Sequence, residues 1–227
     1  GTYRGWELAS VAPPSSGGLT VIQTLMMLER FPLGAWGHNS TDTLSVVIEA
    51  LRLAYADRGK YDGDSDFVSI PVKGMLNPQY TSLRSALIDK DVADPNLTFG
   101  NPWPFNGGSA VKTASVAAGE EGSETTSFAT ADRWGNLIAW TTTIESGWGS
   151  GIMVPGYGFM LNNELTDFDF VPGGANQVEA NKRPRSSMSP TILLKDGKPW
   201  MATGSPGGAT IINTVAQVIM NVIDHGM

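Results

Sequence analysis

The stretch GSETTSFATADRWGNLIAWTTT (122–143) sets Thr125 and Thr126 directly after Glu124 and closes on three more threonines, the last of them Thr143. A threonine hydroxyl is a weak nucleophile until a base takes its proton. Bases of the usual kind are scarce here: the chain holds 2 histidines, His38 and His225, far apart in sequence, and no cysteine. This argues against a Ser-His-Asp triad, a thiolate nucleophile, a disulfide framework and a His- or Cys-based metal centre. One base stays within reach. A chain cut between Glu124 and Thr125 would expose a threonine whose hydroxyl lies beside its own α-amine, and an unperturbed α-amine has a pKa of about 7.7–8.0, suited to general-base work near neutrality. Threonine paired with an N-terminal amine is an activated nucleophile for acyl transfer. The competing account is strand propensity, since β-branched threonine is enriched on strands and TT or TTT runs need no chemistry. Position favours chemistry: Thr125 follows a Gly/Glu/Ser segment and opens a strand pattern.

Two other groups of residues could serve such a nucleophile. GSPGG (204–208) stands between an apolar strand pattern and a helix pattern. Glycines there leave backbone N–H groups unobstructed at a helix N-terminus, where the dipole favours negative charge and an oxyanion could be held. Pro-Gly-Gly is equally a common turn before a helix. The segments TIESGWGSG with Glu145, LNNELTDFDF with Glu164 and Asp167, and NKRPRSSMSP with Ser186 and Ser187 carry the remaining polar groups. Glu164 and Asp167, three apart, can reach one side of a single turn. Clustered carboxylates suit a substrate ammonium group and serine hydroxyls suit a carboxylate, although any one surface carboxylate is more often simply solvated.

Periodicity indicates the elements that must position these groups. PPSSGGLTVIQTLMMLERF (13–31) offers Ser15 or Ser16 as N-cap and Leu19, Ile22, Leu25, Met26 and Leu28 at helical spacing, which predicts a helix with one buried face ending before Pro32. A stronger helix pattern covers 40–62, with Ser40 or Thr41 as cap, Leu44, Val47, Ile48 and Leu51 as the apolar stripe and Gly59 as stop; a shorter one falls at about 77–89. Residues 91–124, rich in Pro, Gly, Asn, Ser and Ala, read as an exposed linker, dividing the chain into 1–124 and 125–227. Period-two patterns at 126–131, 137–144, 190–195 and 199–203 predict strands, the last pair joined by Asp196-Gly197, and a helix pattern closes the chain at 209–224. With DRWGN as the turn of the first hairpin and Asp132 opposite Leu137, Thr126 pairs with Thr143, and Thr143 lies next to Thr125.

At 227 residues, 41% hydrophobic, the chain can bury a sizeable core. A formal charge of −7 without a basic run makes nucleic acid and anionic membrane surfaces poor partners, and small molecules better ones. No apolar stretch is long enough for a membrane-spanning helix, and the first residues lack the basic and apolar regions of a signal peptide. Both ends read as those of an excerpt from a longer protein.

TTSFATADRWGN, TTTIESGWGSGI, GFMLNNELTDF, NKRPRSSMSPTILLKDGK and TGSPGG, in that order, strongly resemble the γ-glutamyltransferase (γ-glutamyl transpeptidase) family of N-terminal nucleophile hydrolases, and PPSSGG and AYADRGKYDGDSDFV look like the family's region before its cut. The resemblance implies an α+β fold, the αββα sandwich of mostly antiparallel sheets flanked by helices, here as a partial domain. It implies autocatalytic cleavage before Thr125 into large and small subunits that stay together, with 1–124 the end of the first and 125–227 the start of the second. Thr125 would attack the γ-glutamyl amide of glutathione-like substrates and the acyl group would pass to water or an amine, with no cofactor or metal. By the same resemblance Thr143 hydrogen-bonds the nucleophile, Gly207 and Gly208 form the oxyanion hole, Glu145, Glu164 and Asp167 hold the substrate α-amino group, and Ser186 and Ser187 lie near its α-carboxylate. A periplasmic or secreted location follows from the family alone.

The sequence departs from the family in three places. Asp167 to Pro184 is shorter than in members with a lid loop, so an open site is expected; position 127 is Ser where members often have His; and the family arginine that clamps the substrate carboxylate falls before residue 1, matched by neither Arg4 nor any other residue. A glutaryl-β-lactam acylase or a poly-γ-glutamate processing enzyme of the same fold is compatible with the short loop, and a non-catalytic remnant is the alternative from another class.

Overall fold

The computed structural model describes residues 1–107, 124–170 and 172–227. The chain opens on two strands absent from the sequence expectations, β1 (Thr2–Tyr3) and β2 (Trp6–Ser10), joined at Arg4 and Gly5, which both take positive φ (51° and 82°). That is the twist a two-residue hairpin turn requires. Arg4 serves the fold: its guanidinium donates to the carbonyls of Glu29 and Phe31 and, 3.0 Å away, to Asp224 Oδ1, tying together two helix C-termini.

α1 (Gly17–Leu28) was expected to bury one face, yet every residue in it except Met26 is buried. Its composition allows this, because it has no charged residue and its side-chain donors find partners. Thr20 and Thr24 hydroxyls return to the carbonyls four residues earlier, both at 2.8 Å, and Gln23 Nε2 donates to Asp57 Oδ2 at 2.7 Å. Ser16 occupies the N-cap position, but its hydroxyl donates to the Ser186 carbonyl instead of receiving a helix N–H. Gly17 is required there by proximity: a Cβ would collide with the backbone of 187–188 and with Ser189.

After the short turn α2 (Leu33–Trp36) comes α3 (Thr41–Tyr61), with the Ser40 hydroxyl accepting from Thr43 N–H as a cap. Two expectations need correction. Gly59 does not stop the helix, because Tyr61 is buried and donates to the Gly100 carbonyl, carrying the last turn past the glycine. The apolar stripe is also rotated, since Leu44 and Ile48 are 40% and 53% exposed while the buried side carries Val46, Val47, Ala50, Leu53, Ala54, Asp57 and Arg58. Polar Asp57 and Arg58 sit on that face because partners satisfy them: Asp57 accepts from Gln23, Tyr80 and Gly100 N–H and pairs with Arg84 at 3.1 Å.

α4 (Val72–Met75) and α5 (Pro78–Ser85), the latter capped by Asn77, lead into residues that were expected to be linker. Residues 91–96 are exposed as expected, but the stretch after them is anchored: Trp103, in a 3-10 turn Trp103–Phe105, is buried against Tyr61, and Leu97 and Phe99 pack on the apolar clusters. Aromatic anchors outweigh the Pro/Gly/Asn composition there. Residues 108–123 of the expected linker lie outside the described residues.

The second part supplies the hairpin β3 (Thr125–Ala131) and β4 (Leu137–Thr143), then β5 (Thr191–Lys195), β6 (Lys198–Thr203) and α6 (Thr210–Ile223), all within a residue or two of expectation. β5 and β6 meet at Asp196-Gly197, both at positive φ, with an irregularity opposite Pro199, which cannot donate to the ladder. The sheet order β1-β2-β5-β6 is antiparallel throughout and joins strands from both sides of Glu124. One core follows from it, in which Leu25, Met27 and Leu28 of α1, Leu53 of α3, Leu193 of β5 and Ile212, Val215 and Ile219 of α6 are buried together. The β3–β4 hairpin is a separate two-stranded sheet lying against β6. Gly204 admits this approach, because a Cβ there would strike the Ser127 hydroxyl. The result is the expected α+β class with antiparallel sheets against a helical layer.

The two parts are also latched at the surface. Arg183 donates to Asp64 through its backbone N–H and its guanidinium, two of these bonds at 2.9 Å, and its Nη2 reaches Asp66 at 2.6 Å. The Arg183 hydrogen bond holds the Asp64 carboxyl well below the usual carboxylate range. A depressed carboxylate contributes stability above its unfolded pKa of about 4 and loses it as pH falls. Asp64→Asn is therefore expected to lower the urea midpoint at pH 7, and the gap from the parent should narrow as pH falls below about 4; a gap that stays constant with pH would contradict the pairing.

Candidate active site

The hairpin register differs from the expected one by a residue. Thr143 is directly opposite Thr125, not Thr126, and Ala131 pairs with Leu137. Asp132 causes the shift by leaving the strand: its N–H donates to the Asn136 carbonyl, and its carboxylate accepts from Trp134 and Asn136 N–H groups, both at 2.9 Å. Arg133-Trp134-Gly135 then forms a three-residue loop with Gly135 at φ 87°.

Direct opposition puts three groups in series. Thr125 Oγ1 donates to Thr143 Oγ1 at 3.2 Å, and Thr143 Oγ1 donates to the Glu124 carbonyl at 2.8 Å while accepting from Glu145 N–H at 2.9 Å. A hydroxyl has one proton and two lone pairs, and Thr143 has all three committed. The chain of donors thus starts on Thr125 and ends on the carbonyl of the residue before it. Glu145 closes this arrangement with φ 76°, a backbone conformation costing a non-glycine residue about 1–3 kcal/mol. The bend returns its N–H to Thr143 and sends its buried carboxylate the other way, to accept from Ser146 and Asn163.

Glu164 and Asp167 occupy one 3-10 turn (Glu164–Asp167), where residues three apart eclipse, and their side chains hydrogen-bond each other. Burial, followed by the charge of Glu145, pushes the Glu164 carboxyl up from its ordinary value. On the other wall Ser187 is buried, and its hydroxyl accepts from Arg58 Nη2 at 2.7 Å; Ser186 Oγ accepts from Met188 N–H at 3.1 Å. Gly207 and Gly208, at φ 129° and 54°, form the turn into α6.

One small cleft gathers these residues. Thr125, Thr143, Glu145, Glu164, Asp167, Ser186, Ser187 and Gly208 line it with Met188 and Ile211, around a cavity of about 20 Å³, room for one water. Of the expected residues, Gly207 is the neighbour of a lining residue, and Glu124 lines a second, larger cleft of about 290 Å³ on the other side of Thr125 and Thr143. The two histidines do meet, rings 5.4 Å apart edge to face, but at the far end of α6, about 20 Å from Gly208. Among the described residues no three His, Cys, Asp or Glu side chains group to hold a metal ion, and no helix is long and apolar enough to cross a membrane.

Sequence reasoning missed the residues behind the cleft. Arg58, Tyr55, Asn163 and Asn176 hold its walls from below. Asn176 is fully buried, donating to the Asp167 carbonyl at 2.7 Å and accepting from Arg185 N–H at 2.8 Å, so it clamps the acid wall to the serine wall. The readable signal was Asp57-Arg58 falling on the buried side of α3.

This architecture is that of the N-terminal nucleophile hydrolases, and it matches the structure of cephalosporin acylase from Bacillus halodurans with a TM-score of 0.79 and 27% identity, over 100% of this chain and 37% of that one. The chain belongs to the gamma-glutamyltranspeptidase family, whose profile matches residues 1–227. It is 49% identical over 228 residues to the glutathione hydrolase proenzyme of Bacillus subtilis (strain 168) and 40% identical over 237 residues to that of Escherichia coli (strain K12), covering 100% of this chain and 39% of each relative. It is also 36% identical to the acylase ACY 1 proenzyme of Pseudomonas sp. (strain SE83), over 100% of this chain and 38% of that protein. The chain therefore spans about two fifths of the curated relatives it matches.

Proposed function

We propose that this chain carries the catalytic centre of an enzyme that cuts itself between Glu124 and Thr125 and then transfers γ-glutamyl groups from glutathione-like amides to water or an amine. The observation that carries the proposal is the series Thr125 hydroxyl, Thr143 hydroxyl, Glu124 carbonyl. For the cut, Thr125 Oγ1 attacks the Glu124 carbonyl carbon, its proton passes to Thr143, and the Thr143 proton passes to the carbonyl oxygen. The tetrahedral species then breaks its C–N bond, the nitrogen takes a proton, and the resulting ester is hydrolysed by water to a Glu124 carboxylate and a free Thr125. The freed amine next serves as base while the same hydroxyl attacks the γ-carbonyl of the substrate. The developing oxyanion is held at Gly207 and Gly208, and Thr143 keeps its hydrogen bond to the nucleophile.

Charge supports the choice of substrate. Glu145, Glu164 and Asp167 on one wall fit an α-ammonium, and Ser186 and Ser187 on the other fit an α-carboxylate. A cation beside Glu164 favours its ionised form, so substrate binding releases a proton and KM is expected to fall as pH rises through that group's elevated pKa.

The relation to acylases favours a second reading, glutaryl-amide hydrolysis, but a glutaryl group has no ammonium for the three acids. The deciding measurement uses full-length protein: p-nitroaniline release from γ-glutamyl-p-nitroanilide and from glutaryl-p-nitroanilide, with intact-mass detection of a fragment starting at Thr125. Turnover of the first and cleavage are expected; glutaryl turnover alone would replace the proposal with its rival.

A further inference from the structure

We propose that one face of α3, carrying Tyr55 and Arg58, positions both sides of the active site, with Arg58 fixing the Ser186–Ser187 wall and Tyr55 fixing the turn at Gly207–Gly208. This rests on the proposed function and assigns residues to it that touch neither the substrate nor the nucleophile.

Arg58 is 2% exposed, and its guanidinium can only donate. Nε gives a hydrogen bond to Ser16 Oγ at 2.6 Å and Nη2 one to Ser187 Oγ at 2.7 Å. Both hydroxyls therefore accept from Arg58 and keep their own protons to give. Ser16 gives its proton to the Ser186 carbonyl at 2.8 Å, and that carbonyl also receives Ser16 N–H at 2.9 Å. The guanidinium thus grips the serine pair twice, directly at the side chain of Ser187 and through Ser16 at the backbone of Ser186. Its charge also lies behind hydroxyls that face the cleft, opposite three carboxyls, so the cleft carries the polarity of the zwitterionic end of an amino acid. Asp62, wholly buried on the next turn, cancels that charge incompletely at neutral pH, because burial pushes its carboxyl up to about 7.

Tyr55 sits one turn earlier, its ring centroid 5.6 Å from the Arg58 guanidinium carbon. Its hydroxyl donates to the Ala209 carbonyl at 2.5 Å and lies 3.0 Å from Asn213 Oδ1. Ala209 joins Gly208 to the first turn of α6. A glycine turn has no side chain with which to fix itself, so its place relative to Thr125 must be set from outside, and Tyr55 is the polar side chain of α3 that reaches it.

Separate attachments give separate kinetic signatures. In full-length protein, Arg58→Lys keeps the charge and loses the fork, so KM for γ-glutamyl-p-nitroanilide is expected to rise about 10-fold with kcat within about 2-fold. With 4-aminobutyryl-p-nitroanilide, which lacks the α-carboxylate, the same variant should match the parent. Tyr55→Phe should lower kcat about 10-fold on both substrates with KM little changed. Ser16→Ala, a small change that spares the guanidinium, should reproduce the carboxylate-dependent rise in KM in weaker form, and carries the test if Arg58→Lys does not fold. An active parent whose variants lose kcat and KM alike on both substrates, or lose neither, overturns this inference alone. A processed parent that turns over neither anilide overturns the proposed function and this inference with it.

Discussion

Thr125→Ala is expected to leave the chain in one piece and to abolish anilide turnover in the full-length protein, lowering kcat by a factor on the order of 10⁴ or more. The size follows from the double duty of one residue, because without the hydroxyl nothing attacks Glu124 and no free amine is ever made. The structural cost is small, since Thr125 is partly exposed at the start of β3 and, among the described residues, its side chain makes one hydrogen bond, to Thr143. Far-UV circular dichroism should therefore match the parent. Thr125→Ser, which keeps hydroxyl and amine, should retain cleavage at a reduced rate. Intact mass is the direct measurement, and a Thr125→Ala chain that still splits at Glu124 would end the autocatalytic account.

Thr143→Val comes second in size. Valine keeps the branched shape that the strand accommodates but removes the donor 2.8 Å from the Glu124 carbonyl and the acceptor for Thr125. Loss of one such donor costs about 2.7–4 kcal/mol of transition-state stabilisation, so cleavage should slow by roughly 10²–10³, visible as a lengthened precursor half-life in a time course of intact mass. Thr143→Ser should retain most of the rate. The valine variant also leaves the Glu145 N–H without its acceptor, so a loss of about 1 kcal/mol in stability should accompany the slower cut. A normal rate in the valine variant would mean that the proton leaves Thr125 by another route.

Much of this arrangement was readable in the residues, and the failures share a cause. Period-two alternation and Asp-Gly located the strands of the second part because their faces differ in exposure. The hairpin register slipped by one because it depends on whether Asp132 pairs in the ladder or folds its carboxylate onto the turn, a choice that alternation does not record. Leu44 and Ile48 were mistaken for the buried stripe of α3 because the true stripe contains Asp57 and Arg58, and a charged residue looks like surface until its partners, here Gln23, Tyr80, Arg84, Ser16 and Ser187, are known. The same blindness hid Asn176 and Tyr55. The acids and serines of the cleft were identified by resemblance, and the structure gathers them, but nothing in their spacing alone foretold that segments around 125, 145, 165, 187 and 208 would meet.

The alternation of chain segments in the sheet has a consequence for timing. β5 is bordered on one side by β2, made long before Thr125, and α6 rests on α1, also made earlier. A polypeptide beginning at Thr125 would have its amine from the start, yet would leave β5 with a bare edge and α6 with an uncovered apolar face, so the scaffold that aims the hydroxyl could not assemble. The interleaving of the strands therefore sets an order for the proposed cut between Glu124 and Thr125: the continuous thread folds first, and the incision comes from the finished scaffold.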